Sequence, residues 1–307
     1  MTAGHPDSDV LAQAGAITRP LAVWWSQARV ARDTLPWRST RDPWRVLISE
    51  LMLVQTQASR VAERYPAIVD RFPTPGSLAR SPVGDLIALW SGLGYYRRAV
   101  SLHASATRIV ETHGGTLPAT LPELRALPGL GAYTARAVLA FAFDEPVGPV
   151  DTNIRRVLLR AVGASGSSAT QLQNEADAIA RSVASTGRFG GGGRAWSLAL
   201  MDLGSTVCVA RAPRCGECPI AKVCAWRAGS GSDPVRSQNP ARTARYAGSD
   251  REIRGTIVRT VCAAPIEVSG LTLHGRALGS SDRVQRIVAD LVAEGVIIER
   301  DGVLALP

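Results

Sequence analysis

Leu121-Pro122-Glu123-Leu124-Arg125-Ala126-Leu127-Pro128-Gly129-Leu130-Gly131-Ala132-Tyr133-Thr134 places a turn between two helical runs, 121–126 and 132–143. The turn spans Leu127 to Gly131. Its glycines let the backbone reverse tightly and leave bare amide N–H groups facing outward, and the following helix adds the positive end of its dipole. A phosphate fits such a place, and contacts to it carry no base sequence. Pro and Gly also occupy junctions of this kind for packing alone, so the surrounding chain has to decide.

Outward from the turn, helical periodicity covers nearly all of 20–225. Asp42-Pro43 is an N-cap and first-turn pair, after which Leu47, Ile48, Leu51 and Met52 recur at helical spacing and carry Glu50 with them. Further helices are expected over 60–72, 83–90, 95–112, 152–162, 169–186 and 194–207. Residues 1–19 read as a flexible tail and 227–249, rich in Gly, Ser and Arg, as a linker. Beyond it, amphipathic helices over 251–263 and 282–294 precede Val296–Arg300 and Val303–Leu306, which pair as a hairpin across Asp301-Gly302. That order resembles a winged helix.

The chain has 307 residues, 46% of them apolar, a net charge of +9 and a pI near 10. It is large enough for about two domains, and its basicity points to a polyanionic partner. No apolar run reaches the roughly 18 residues that a bilayer span requires, and no secretory leader is recognisable. A cytoplasmic, nucleoid-associated protein without membrane contact is expected.

Cys208, Cys215, Cys218 and Cys224 fall within one short segment. In a reducing compartment such spacing reads as a set of metal thiolates, for which tetrahedral zinc and a [4Fe–4S] cluster are both chemically open. Cys262 stands apart and reads as a small core residue.

Across 20–225 the chain resembles the adenine DNA glycosylase family of the endonuclease III superfamily. The resemblance is carried by Leu35-Pro36-Trp37-Arg38, Ser49 to Gln57, Gly92-Leu93-Gly94-Tyr95-Tyr96, Leu127–Gly131, Val150 to Val157, Met201-Asp202-Leu203-Gly204 and the four cysteines. It implies a mainly α, two-lobed helix-hairpin-helix glycosylase fold with a [4Fe–4S] cluster loop and a small C-terminal winged-helix-like domain. The implied boundaries are 20–45 with 148–226 for the cluster lobe, 46–147 for the helical barrel lobe, 227–249 for the linker and 250–307 for the last domain.

The implied reaction is removal of adenine opposite 8-oxoguanine or guanine in double-stranded DNA, by a monomer. Breaking an N-glycosidic bond needs an acid for the departing base and an anion facing the sugar. Glu50 and Asp151 match those roles, with Tyr133 and Asn153 in support. Gln55 matches the plug that fills the gap left by a flipped base. Leu127, Gly129, Gly131, Tyr95 and Arg97 match DNA contacts, and Trp37, Arg38 and Leu53 the adenine pocket. Strand-cleaving relatives carry a lysine where this chain has Tyr133, and its sole lysine, Lys222, lies in the cysteine loop. Base removal without efficient strand cleavage is therefore expected.

Three features depart from the pattern. Val54 replaces a glutamine, Ser197-Leu198-Ala199 stands where Asn-Gln-Ala is common, and 250–307 stands in place of a larger nucleotide-hydrolase-like domain. A thymine or uracil mismatch glycosylase is the competing enzyme; a non-catalytic DNA-binding protein built on zinc is the reading from another class.

Overall fold

The computed structural model describes residues 8–28, 34–164, 168–229, 232–235, 246–273, 276–278 and 281–307. The chain divides into two compact units. The first comprises 1–46, 119–121 and 131–240, and the second 47–118, 122–130 and 241–307.

The first unit opens with α1, Ser8–Ala28. Over 8–19 this corrects the expectation of a tail, whose residues 1–7 lie outside the described residues: Val10, Ala14, Ile17 and Leu21 recur on one face and are buried. Only Ala14 of the four is small, but Pro20 inside the run and the Ala, Gly and Ser around it lower the contrast of the period. The Gln13 amide donates to the carbonyls of Ala161 and Val223, tying the helix to the cysteine region. The unit also contains α8 (Ala132–Ala142), α9 (Thr152–Val157), α10 (Ala169–Ser185), α11 (Arg194–Thr206) and the short α12 (Ala225–Ala228). Its core gathers Ile17, Leu21, Leu158, Ile179, Trp196 and Leu203.

Helix α8 belongs here, not with the residues before it as the expected lobe boundary had it. Arg136 on α8 binds Asp177 on α10 through Nη2 at 2.9 Å, and Arg194 donates to the Phe141 carbonyl. Asp177 also accepts from Gly148 N at 2.9 Å, where any β-carbon on Gly148 would come within 2.7 Å of Ala176. The chain is thereby held in place just ahead of Asp151.

The second unit contains the end of α2 (Pro43–Leu53), then α3 (Ala58–Arg71), α4 (Pro75–Ala79), α5 (Val83–Trp90), α6 (Arg97–His113) and most of α7 (Leu121–Ala126). Thr74 and Ser77 form a reciprocal cap that starts α4. The C-terminal segment is part of this unit. Its helices, α13 (Asp250–Ala263) and α14 (Asp282–Ala293), precede the hairpin of β4 (Ile298–Arg300) and β5 (Val303–Ala305). The hairpin turns at Asp301 and Gly302, both at positive φ.

The periodicity did not disclose the short strand β1 (Ile266–Glu267), which completes a three-stranded antiparallel sheet of order β1-β5-β4. Two residues are too few to show alternation. The small β2 and β3, Thr272–Leu273 and Arg276–Ala277, pair separately. This winged-helix-like module packs on the helical part of its own unit. Gly84 N on α5 donates to Pro307 O at 3.1 Å, and a β-carbon on Gly84 would lie 2.7 Å from that oxygen. Arg283 and Arg286, the basic residues of the exposed face of α14, both bind Asp250.

Candidate active site and metal centre

Asp42 starts α2 by accepting Arg45 N at 3.0 Å on its carboxylate. Glu50 follows on the inward face of this helix and is 5% exposed, screened from bulk water. The helix ends at Leu53, which is half-buried, and the chain then turns through Val54, Gln55 and Thr56. Gln55 is exposed and holds a left-handed φ of 54°, a conformation that a glutamine keeps only when its surroundings impose it.

Arg98 imposes it. Its Nη1 donates to the carbonyls of Leu51 and Met52, each at 2.8 Å, and of Val54 at 2.6 Å. Its Nη2 reaches Thr56 Oγ1 and Gly94 O, each at 3.0 Å. The guanidinium thus satisfies the last carbonyls of α2, which helix geometry leaves without partners, and braces the turn that presents Gln55. It also lies over the rings of Trp90 and Tyr95, 5.5 and 5.4 Å from their centroids. Burial pulls its pKa down to about 10, still far enough above neutrality to keep it charged. Arg98 is thus a structural brace in the fold. Arg98→Met is expected to destabilise the protein by about 2–3 kcal/mol, the scale of charge-assisted hydrogen bonds lost from a half-buried site. The midpoint of urea unfolding reads this directly.

The paired tyrosines separate. Tyr95 is 47% exposed with a φ of 49°, whereas Tyr96 is buried, and burial raises the pKa of its phenol. Arg97 beside them is exposed. Tyr95 and Arg97 are available to a ligand, and Tyr96 is a packing residue.

In the hairpin, Leu130 N donates to Leu127 O at 3.2 Å, and Ser105 Oγ clamps the Pro128 carbonyl at 2.7 Å. Gly129 has a φ of 77°, and a β-carbon there would meet Ser101 at 2.4 Å, so the position excludes other residues twice over. Gly131 precedes α8 with open space where a side chain would stand, and no side chain caps that helix. Leu127 is only 3% exposed; expected among the DNA contacts, its side chain instead anchors the turn in the core. The hairpin offers backbone, not side chains.

In the first unit Asp151 caps α9, and its Oδ1 accepts Asn153 N at 2.9 Å and Ile154 N at 2.6 Å. Its other oxygen accepts the Asn153 amide at 2.8 Å. Burial raises the Asp151 pKa, opposed by these hydrogen bonds and by the charge of Arg156. Arg156 continues the chain of contacts, donating to Asn153 Oδ1 at 2.8 Å and to the carbonyls of Gly204 and Cys208. A capping carboxylate and the cysteine segment are thus connected through two side chains, one of which, Arg156, the sequence did not single out.

Tyr133 is half-buried near the start of α8. Trp37 is 7% exposed, and Arg38 binds Asp202 at 2.7 Å, where Trp25 Nε1 also donates at 3.1 Å. The Arg38 guanidinium is therefore committed to a buried ion pair. Leu198 is buried, and the buried Ser197 Oγ finds no hydrogen-bond partner among the described residues.

The four clustered cysteines line one pocket, together with Arg160 and Trp226. Burial pushes the Cys218 thiol up to about 11, with the nearby Cys208, Cys224 and Cys215 adding to the effect, as expected of sulfurs that repel one another when ionised. Four thiolate donors gathered on one pocket are a ligand set that a [4Fe–4S] cluster takes, as tetrahedral zinc also does. Lys222 is exposed within this segment.

Comparison with known proteins follows the same lines. Residues 48–181 match the HhH-GPD superfamily of base excision DNA repair proteins, and 208–224 match the iron–sulfur binding domain of endonuclease III. The cofactor is a [4Fe–4S] cluster. An adenine DNA glycosylase of Mycobacterium tuberculosis is 39% identical over 94% of this chain and 92% of its own length; one from Mycolicibacterium smegmatis is 38% identical over 93% and 94%. Among solved structures, a thermostable thymine-DNA glycosylase superposes with a TM-score of 0.62 at 26% identity, over 70% of this chain and 97% of that one. An endonuclease III bound to DNA shares the fold, with a TM-score of 0.57 at 21% identity over 71% and 96%. Related to adenine DNA glycosylases over nearly its whole length, the chain belongs to the adenine DNA glycosylase family of the HhH-GPD superfamily and is a DNA glycosylase of base excision repair.

Proposed function

We propose that the enzyme excises adenine opposite 8-oxoguanine or guanine in duplex DNA, leaving an abasic strand intact. The observation that carries this reading is the near-full-length relation to adenine DNA glycosylases; the likeness to a thymine-DNA glycosylase is weaker in identity and covers less of the chain.

In this reading Glu50 delivers a proton to the adenine ring as the glycosidic bond breaks, and then assists water. Asp151 faces the sugar as positive charge develops on it, oriented by Asn153, with Tyr133 in support. The nucleotide leaves the stack to reach these groups, and Gln55 fills the gap. Tyr95 and Arg97 engage the strand, and the amides around Gly129 and Gly131 hold a phosphate. Trp37, Arg38 and Leu53 serve the adenine pocket in this reading, with the Arg38 guanidinium held by its ion pair to Asp202. Cys208, Cys215, Cys218 and Cys224 hold the cluster, which supplies a covalent cross-link of their loop and a one-electron redox centre when bound. The protein acts as a monomer on chromosomal DNA in the cytoplasm; no helix among the described residues is long and apolar enough to cross a membrane.

Strand cleavage needs an amine that can form a Schiff base with the sugar. Tyr133 has none, and Lys222 lies in the cysteine loop. Single-turnover reactions on duplexes with adenine opposite 8-oxoguanine or guanine should therefore release adenine and show strand breaks only after alkali. Exclusive removal of thymine or uracil would replace this reading with the pyrimidine-mismatch one.

A further inference from the structure

Arg160 has no part in the chemistry above, yet it is fully buried. It lies in the π-helical turn Leu158–Val162 that continues α9. Its guanidinium grips Asp233 in a fork, Nε to Oδ1 at 2.9 Å and Nη2 to Oδ2 at 2.7 Å. The remaining donors go to Ala210 O at 3.1 Å, Val209 O at 2.8 Å and Cys208 Sγ at 3.7 Å. Its planar face lies over Trp226, 5.0 Å from the ring centroid, and its own carbonyl faces Cys224 Sγ at 3.5 Å. One residue thus touches the first cysteine, the last cysteine and a carboxylate well beyond both.

Asp233 falls in the stretch that reads from sequence as linker. Its side chain is 6% exposed, its Oδ1 also accepts Val235 N at 3.1 Å, and Val235 packs on the core of the first unit. The segment is docked, past the end of the 208–224 region that matches the iron–sulfur binding domain.

We propose that Arg160 and Asp233 form a latch that closes the cysteine loop from outside, retaining the cluster and balancing charge beside it. Two physical effects support this. A paired, desolvated guanidinium and carboxylate hold their segments together, and removal of either leaves an uncompensated buried charge. An N–H donor and a positive charge beside a ligating sulfur favour the more negative, reduced state of a cluster, and an adjacent carboxylate opposes that. Arg160 and Asp233 are positioning residues for the cofactor, and the inference does not depend on which base the enzyme removes.

The test uses the purified, DNA-free holoprotein. Loss of the visible absorbance and of iron under a mild oxidant is followed for wild type, Asp233→Asn and Arg160→Met, with reduction potentials measured by voltammetry. Asp250→Asn, which breaks exposed ion pairs in the other unit, is the control. Asp233→Asn should lose its cluster several-fold faster than wild type and the control, at temperatures where circular dichroism shows it folded. Its potential should rise, because Arg160 is no longer neutralised, and that of Arg160→Met should fall. A loop merely loosened would not split the two signs. An unchanged rate of loss, or potentials that move together, overturns the proposal. Should Arg160→Met fail to fold, Asp233→Asn decides alone: faster loss with a raised potential supports the latch, and the absence of either overturns it.

Discussion

Glu50→Gln is expected to lower the single-turnover rate of adenine release about a thousandfold, within the range that a positioned general acid contributes. The substitution retains the shape and burial of the side chain, so secondary structure, visible absorbance and duplex affinity should stay close to wild type. Gln has an amide where the acid has a hydroxyl: it can donate a hydrogen bond, but it cannot transfer a proton to a ring nitrogen. A change within about tenfold would remove Glu50 from the centre of the reaction, because tenfold is only about 1.4 kcal/mol of barrier. Such a loss is within reach of small displacements in packing.

Asp151→Asn separates two duties that one side chain performs. Asparagine is as good an N-cap as aspartate, so the first turn of α9 should survive through the amides of Asn153 and Ile154. The anion facing the sugar is lost, and the rate should again fall by about a thousandfold, comparable to removal of a preorganised electrostatic partner. Stability should move the other way. Burial raises the folded-state pKa of Asp151 above its ordinary value despite the hydrogen bonds it accepts. The stability linked to this group is therefore full below the unfolded-state pKa and declines as pH rises through the folded-state pKa. Above its folded-state pKa the wild type holds a charge that burial disfavours, and the amide does not. The melting temperature of Asp151→Asn should exceed that of the wild type at neutral pH, and the gap should narrow as pH falls towards the carboxylate range. A variant that melts below wild type at every pH would mean that the cap, not the charge, dominates.

These two carboxylates were visible in the sequence through the motifs around them, as were most helices of the fold. The periodicities over 83–90, 121–126 and 169–186 correspond to α5, α7 and α10 within a residue, because each element shows enough apolar contrast and ends at a Gly, Pro or polar cap. The hairpin turn was equally legible, since Gly129 occupies a backbone region that other residues avoid. By contrast α1 was hidden by small side chains, and β1 by its length.

The arginines tell a different story. Arg38, Arg98, Arg156 and Arg160 stand in a basic chain whose charge points to DNA, and nothing local in the sequence separates a buried arginine from one that meets DNA. Each turns inward instead, to Asp202, to the carbonyls that end α2, to Asn153 and the cysteine loop, and to Asp233. Leu127 shows the same in reverse, an anchor inside a hairpin that presents only backbone.

By itself, then, the sequence determined what is local: where helices start and stop, where the chain must turn on glycine, and which cysteines stand close enough to share a cofactor. Capping, backbone strain and thiolate spacing depend on near neighbours in the chain. Only the tertiary structure decided which cations face inward, where α8 and the C-terminal module pack, and that Asp233 is docked in its unit. A buried charge is tolerated only beside a partner, and such partners come from segments that are distant in sequence and adjacent only once the chain has folded.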